Sequence, residues 1–424
     1  MNLVRFPTPE TWPALLARPV MDTAEVERRV APVLARVKAE GDTALRDFTR
    51  QFDGLDLDRL DVPAEVLEVA GRSLPDELKT AIRTAYGNIR RFHEAQKQVP
   101  EKIETMPGVT CWRKSVGIER VGMYIPGGTA PLFSTVLMLG IPAQLAGCRE
   151  VVLCSPSRHP AILHAAHLCG VTRVFTLGGA QAVAALAYGT ESVPRVHKIF
   201  GPGNQYVTAA KMLVAKEGVA IDMPAGPSEV AVYADDSALP AFVAADLLSQ
   251  AEHGADSQVL LVSTSERLIA AVQAELERQL SDLPRSEFAR QALENSKAVL
   301  VESEATALAL LNAYAAEHLI LAVENAEAVS ERITNAGSIF LGNYTPESAG
   351  DYASGTNHTL PTNGFARAYS GVSLDSFVKK ITVQHLTREG LERLGPTIEA
   401  MAAAESLEAH RRAVSIRRQT PEPA

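Results

Sequence analysis

From about residue 118 the chain falls into a repeating pattern: a short apolar run, a glycine-rich turn, then an alanine-rich stretch at helical spacing. "RVGMYIP" leads through "GGTAP" into "STVLMLGIPAQLAGC". "EVVLCSP" leads into "PAILHAAHLCG", "RVFTLGG" into "AQAVAALAYG", and "HKIFGPGN" into "QYVTAAKMLVAK". Strands joined through helices run parallel, and apolar runs of this length are covered on both faces. Four such units in about 100 residues predict a parallel sheet with helices on its faces.

A looser second set follows. "SEVAVYAD", "SQVLLVS", "KAVLVE", "EHLILAV" and "GSIFLG" read as strands, with helices such as 265–281 and 305–316 between them. Residues 22–97 read as helical, with Gly41 and Asp42 able to mark a break and His93 on the surface of an amphipathic helix. We expect an α/β protein with two Rossmann-like parallel-sheet domains, one discontinuous, plus small helical terminal extensions. The expected boundaries are an N-terminal extension 1–21, a first domain in segments 22–123 and 228–372, an inserted domain 124–227 and a C-terminal helical tail 373–424. Continuity of texture assigns the N-terminal helices to the second set of strands.

The net charge of −9 argues against a general nucleic-acid binder. Arg411-Arg412 and Arg417-Arg418 read as a solvated helix face. No run of 18 apolar residues predicts a membrane span, and "MNLVRFPTPETWPALLARPV" lacks the pattern of a signal peptide. Cys111, Cys148, Cys154 and Cys169 form no CxxC pair and are expected as buried free thiols in a reducing cytoplasm.

Several polar positions depart from surface patterning. Gln250 and His253 lie near the end of "AFVAADLLSQAEHG", with Gly254 as the expected C-cap. A spacing of three puts both on one helix face, where imidazole suits zinc but glutamine is an uncommon ligand, so the pair also admits a structural role. Asp351 and His358 share the loop "GDYASGTNH" after a strand, at the carboxyl end where parallel sheets place ligands; either could equally be solvated. In Glu317-His318 a carboxylate beside an imidazole can raise its pKa and orient it as a base. Glu405 and His410, five apart, would diverge by about 140° on one helix and read as surface unless a break at 406–408 brings them together. The turns "YIPGGTAP", "LGGAQ" and "GPGNQ" open helices whose N–H groups favour anions, although none is GxGxxG.

Together these segments resemble the histidinol dehydrogenase family. The resemblance covers nearly the whole chain and rests on "GMYIPGG", "GGAQA", "IFGPGN", "IDMPAGPSEV", "LLSQAEHG", "AAEHL", "AGDYASGTNHTLPT" and "ESLEAHRRAV", all in order. It implies one Zn2+ per subunit bound by Gln250, His253, Asp351 and His410. It implies Glu317 and His318 as the acid–base pair and Ser228, His358 and Glu405 as further substrate contacts, with the zinc ligands also facing the substrate. It implies Tyr124, Gln181 and Asn204 in the NAD site. It also implies a homodimer with intertwined tails, which replaces the surface reading of Glu405 and His410.

The implied reaction is oxidation of L-histidinol to L-histidine through L-histidinaldehyde with two NAD+. A carboxylate at Glu405 favours an imidazole N–H over a sulfonate, which weighs against a dehydrogenase of sulfonated diols. A zinc metallohydrolase or a non-catalytic metal-binding protein would leave the glycine-rich turns or His318 without a role.

Overall fold

The computed structural model describes residues 1–19, 23–127, 130–224 and 226–420. Part of the "GGTAP" turn and the expected boundary at 21–22 lie outside the described residues. The chain divides into two compact units, 1–96 with 118–377 and 97–117 with 378–424.

Among the described residues the larger unit contains two six-stranded sheets. In one, Arg120–Tyr124 is central; Glu150–Ser155 and Arg173–Thr176 follow on one side, Lys198–Phe200 and Ala220–Ile221 on the other, all parallel. In the other, Glu229–Ala234 is central, with Gln258–Ser263 and Lys297–Leu300 on one side and His318–Ala322 and Ser338–Leu341 on the other, again parallel. The same doubly wound order occurs twice, as the repeating pattern requires. Each sheet receives an N-terminal strand at the corresponding edge. Asn2–Arg5 runs parallel beside Lys297–Leu300, and Asp61–Val62 antiparallel beside Arg173–Thr176.

Both sheets are covered on both faces. Along Glu150–Ser155, Val151 and Leu153 enter one apolar cluster while Val152 and Cys154 enter the other. Along Glu229–Ala234, Val230 and Val232 face one cluster and Ala231 and Tyr233 its counterpart. This two-sided burial is why the strands read as continuous apolar runs rather than alternating ones.

The structure corrects several expectations. The N-terminal helices pack on the sheet of residues 120–221, not on the second set of strands. Val26, Val30, Leu34 and Val37 of helix Thr23–Glu40 join Ala182, Val183 and Val207, while Ile82, Ala85 and Ile89 of helix Asp76–Glu94 join Val136 and Leu137. Helical spacing defines an apolar face but not which sheet it meets. What joins the second sheet is the first segment, through Asn2–Arg5 and the buried Leu16. His93 is fully buried, because it continues the Ile82, Ala85, Ile89 stripe; its ring meets Gln96 Oε1 at 3.2 Å and Asn357 Nδ2 at 3.4 Å. Cys154 and Cys169 are buried, but Cys111 and Cys148 are only partly so, and all four are unpaired.

The smaller unit is not purely helical. Val378–Leu386 forms the edge of an antiparallel sheet with Val109–Gly117 and Lys102–Met106, ahead of helices Arg388–Ala404 and Glu408–Gln419. Residues 97–117 therefore pair with the C-terminal segment rather than with their neighbours in sequence. Among the described residues no helix is long and apolar enough to cross a membrane.

Candidate active site

Glu229 and His318 are the first residues of adjacent parallel strands, with Val230 opposite His318. The candidate catalytic residues therefore gather at the amino ends of the second sheet. Helix Glu304–Tyr314 ends at Ala315, whose φ of +54° is uncommon for a residue with a side chain, and the chain turns there into Glu317-His318. The Glu317 carbonyl accepts from Ser338 N at 2.9 Å, which seats the turn on the neighbouring strand.

Both side chains are buried. Glu317 Oε2 accepts from Glu229 N at 2.9 Å and lies 3.7 Å from His318 Nδ1. His318 Nδ1 is 2.8 Å from Gln250 Nε2 and 3.3 Å from the Glu229 carbonyl; Nε2 is 3.2 Å from Asp351 Oδ1. Burial raises the Glu317 carboxyl well above the usual carboxylate range. Burial, the strongest influence on His318, pushes the imidazole down, but Glu317, Glu347 and Asp351 outweigh it and raise the ring. An imidazole held among carboxylates and a carboxyl held near neutrality are the two partners a proton-transfer site needs.

Gln250 is almost fully buried at the end of helix Pro240–Ala251. Its Nε2 also donates to the Glu229 carbonyl at 3.2 Å, and its oxygen has no protein donor among the described residues. The helix stops before His253, with Glu252 as C-cap, so Gly254 is not the cap and the two residues do not share a helix face. A tighter turn carries His253 onward, its N–H donating to the Gln250 carbonyl at 3.2 Å. His253 is solvent-exposed at its edge, yet crowding lowers its pKa and it lies within the field of Asp351.

Asp351 sits in helix Glu347–Tyr352, and its contact with His318 puts it at the amino end of the sheet, not at the expected carboxyl end. The short helix after Ser338–Leu341 carries the chain back across the sheet. Burial opposes ionisation of Asp351, but His318, His358 and His253 outweigh it and lower its pKa. His358 Nδ1 meets the Asp351 carbonyl at 2.7 Å and Nε2 meets Thr135 Oγ1 at 3.1 Å. Asn357 Nδ2 anchors the same loop to the Met138 carbonyl at 2.6 Å. Ser228 adjoins Glu229 and gives its carbonyl to Gln258 N at 3.1 Å.

Glu405 and His410 lie in the smaller unit, and both are exposed. The chain does break between them. Glu405 caps one helix, Ser406 takes φ +59°, and the next helix begins at Glu408.

Among the described residues no three His, Cys, Asp or Glu side chains form a ready metal-binding group. The larger unit offers a mixed set instead: the imidazole of His253, the carboxylate of Asp351 and the Gln250 oxygen left free by its two N–H contacts. That donor chemistry fits zinc with a further ligand from elsewhere.

A second cluster lies at the carboxyl ends of the first sheet. Tyr124 ends the central strand, and its hydroxyl accepts from Gly179 N at 3.2 Å; burial raises its pKa to about 12. Gln181, on the first turn of helix Gly179–Tyr188, donates to Asp53 Oδ2 at 3.3 Å. Asn204 caps helix Gln205–Lys216, accepting from Tyr206 N at 3.0 Å and Val207 N at 3.1 Å. The central strand and Lys198–Phe200 flank the point where strand order reverses, the usual position of a ligand crevice.

Sequence reasoning missed several residues. Buried Lys211 pairs with Asp222; Lys211 Nζ donates to the Gly201 carbonyl at 2.9 Å and Asp222 Oδ2 accepts from Gly201 N at 2.8 Å. A lone cation in the apolar run "VTAAKMLVA" was the available signal. Arg18 Nε and Nη2 grip Glu229 at 2.7 and 2.8 Å. Glu347 is buried behind His318, with Oε2 unpartnered and its pKa raised to about 8 by burial. Nothing local in "TPESAG" marks it.

A sequence model of the family described as histidinol dehydrogenase matches residues 16–418. The histidinol dehydrogenase of Bacteroides thetaiotaomicron is 60% identical over 425 residues, covering 99% of each chain. The crystal structure of the histidinol dehydrogenase from Elizabethkingia anophelis superposes with a TM-score of 0.96 at 53% identity, covering 98% of each chain. An NAD-dependent aldehyde dehydrogenase from Sinorhizobium meliloti shares the fold at a TM-score of 0.52 and 16% identity, covering 89% of this chain and 84% of its own. With two doubly wound sheets, a buried Glu-His pair and relatives this similar over nearly their full length, the chain belongs to the histidinol dehydrogenase family.

Proposed function

We infer that this chain oxidises L-histidinol to L-histidine through L-histidinaldehyde, closing histidine biosynthesis, with two NAD+ consumed per histidinol. The observation that carries this reading is the buried Glu317-His318 pair, hydrogen-bonded to Gln250 and Asp351. Zinc, held by Gln250, His253, Asp351 and His410, would anchor the substrate's amine and imidazole nitrogens and acidify its hydroxyl, while NAD+ takes up hydride. His318 accepts the hydroxyl proton; with Nδ1–H donated to the Glu229 carbonyl, Nε2 carries the lone pair that takes it. Glu317 then removes a proton from the water that adds to the aldehyde, and the resulting gem-diol loses a second hydride to give the carboxylate.

Ser228, His358 and Glu405 orient the substrate, and Tyr124, Gln181 and Asn204 line the nicotinamide dinucleotide site. Glu405 and His410 are supplied by the tail of a second copy in a homodimer. A cytoplasmic location fits a biosynthetic role. The domains follow as one built on the sheet around Arg120–Tyr124, which the N-terminal helices cover, and one built on the sheet around Glu229–Ala234, with a tail that serves dimerisation.

The test is the NADH formed per molecule of limiting L-histidinol, with zinc-replete and chelator-treated protein. The expected ratio is about two, lost on chelation and restored by zinc. A ratio of about one would remove Glu317 from the role of water activator. No NADH would redirect the search to other alcohols, sulfonated diols first.

A further inference from the structure

Three site side chains converge on one residue. Glu229 N–H donates to Glu317 Oε2 at 2.9 Å, and the Glu229 carbonyl accepts from Gln250 Nε2 at 3.2 Å and faces His318 Nδ1 at 3.3 Å. Glu229 opens its strand, and its N–H is given to a side chain rather than to a neighbouring strand. The orientation of that backbone therefore depends on what holds the residue from its other side.

Arg18 does so. Its guanidinium meets both Glu229 oxygens at 2.7 and 2.8 Å, donates to the Tyr314 carbonyl at 2.7 Å and lies over the Tyr314 ring, 4.1 Å from its centroid. Glu229 Oε1 also accepts from Asn363 N at 2.7 Å. The side chains are 12% and 1% exposed, so each charge is compensated mainly by the other. A forked donor on a carboxylate fixes direction as well as distance, which an ammonium does not.

We propose that Arg18 and Glu229 form a positioning pair: the buried ion pair orients the Glu229 backbone to which Glu317, Gln250 and His318 are all held. This rests on the reading of Glu317 and His318 as the acid–base pair. Arg18 and the Glu229 carboxylate act through the Glu229 backbone, their own contacts being to each other, to the Tyr314 carbonyl and to Asn363 N. Arg18 comes from the segment ahead of the helices, so residues 1–19 have a task in catalysis beyond completing a sheet edge.

The experiment compares Arg18→Lys and Glu229→Gln, each in the zinc-replete full-length enzyme, with Glu317→Gln as reference. The readouts are kcat, KM for NAD+ and urea midpoint. Both variants are expected to lower kcat by about tenfold or more, the cost of misplacing reacting groups, while KM for NAD+ stays within about threefold. Combining either with Glu317→Gln should give less than the product of the two losses, since the pair acts through Glu317. Unchanged kcat in both variants, a fall in urea midpoint alone, or fully multiplicative losses would overturn the proposal. If one variant does not fold, the other decides by the same criteria. If neither folds, the pair is a stability element and the proposal is overturned as well. Wild-type kcat in Glu317→Gln would instead refute the reading of Glu317, and does so independently of Arg18.

Discussion

Replacing Gly201 with alanine tests the cofactor-side geometry. Gly201 takes φ +125°, where side chains are strained. An added methyl would overlap the Tyr124 carbonyl oxygen and lie 3.0 and 3.1 Å from the Tyr124 carbonyl carbon and nitrogen. All three are backbone atoms of a central strand, so no side chain can swing aside. The conformation alone costs about 1–3 kcal/mol. Relief of the overlap needs the turn to shift, yet Gly201 N and O are tied to Asp222 and Lys211. A shift breaks at least one hydrogen bond to a charged group, worth about 1.5–3 kcal/mol. The expected loss is therefore about 2.5–6 kcal/mol, the sum of the two. A turn displaced by about 1 Å should also lower kcat/KM for NAD+ by on the order of 100-fold.

The assay pairs urea denaturation with NAD+ kinetics, and uses Gly87→Ala as control. Gly87 lies in helix Asp76–Glu94 with nothing near the position of an added methyl, so alanine should stabilise by about 0.5–1 kcal/mol without changing the kinetics. A Gly201→Ala protein with wild-type kcat/KM for NAD+ and a loss below about 1 kcal/mol would refute the reasoning.

Two further changes probe buried charge. Lys211→Met leaves Asp222, whose side chain is 2% exposed, without its cation and should cost about 3–5 kcal/mol in urea; a loss below about 1 kcal/mol would mean that Asp222 is compensated elsewhere. Asp42 is buried, and hydrogen bonds from Ser192 and Thr190 outweigh burial to lower its pKa. A depressed pKa contributes stability above the unfolded value and loses it as pH falls through the folded one. Asp42→Asn should therefore cost about 2 kcal/mol at pH 7, and its gap to wild type should begin to narrow as pH falls below about 4 and go on narrowing through the lowered folded pKa; a gap that does not narrow with falling pH would point to shape rather than charge.

The parallel sheets were legible because burial on both faces writes itself into sequence as apolar runs, and each crossover helix follows its strand. The partner of an amphipathic helix was not legible. Thr23–Glu40 shows its stripe through Val26, Val30, Leu34 and Val37, yet nothing in that stripe distinguishes one sheet from the other. The same stripe logic, carried one step further along the next helix, would have buried His93 beside Ile89. Single residues at the site could be named only where a motif marked them. Arg18 and Glu229 lie 211 positions apart, and no local pattern joins them. Asp351 was singled out as a site residue but placed at the wrong end of its sheet, because a short helix returning across a strand leaves no periodic trace.

The edge strands carry a consequence for the order in which the molecule can be made. Asn2–Arg5 pairs with Lys297–Leu300, and Asp61–Val62 with Arg173–Thr176. During synthesis Asn2–Arg5 must wait for a partner almost three hundred residues later, about 15–60 s at ordinary elongation rates. Until then its apolar residues have no sheet edge to complete, and Arg18 has no carboxylate to grip before Glu229 is made. Of the two six-stranded sheets, the later to close is the one on which the Glu317-His318 pair is mounted, so the chain can acquire its chemistry only after Ser338–Leu341 has been made.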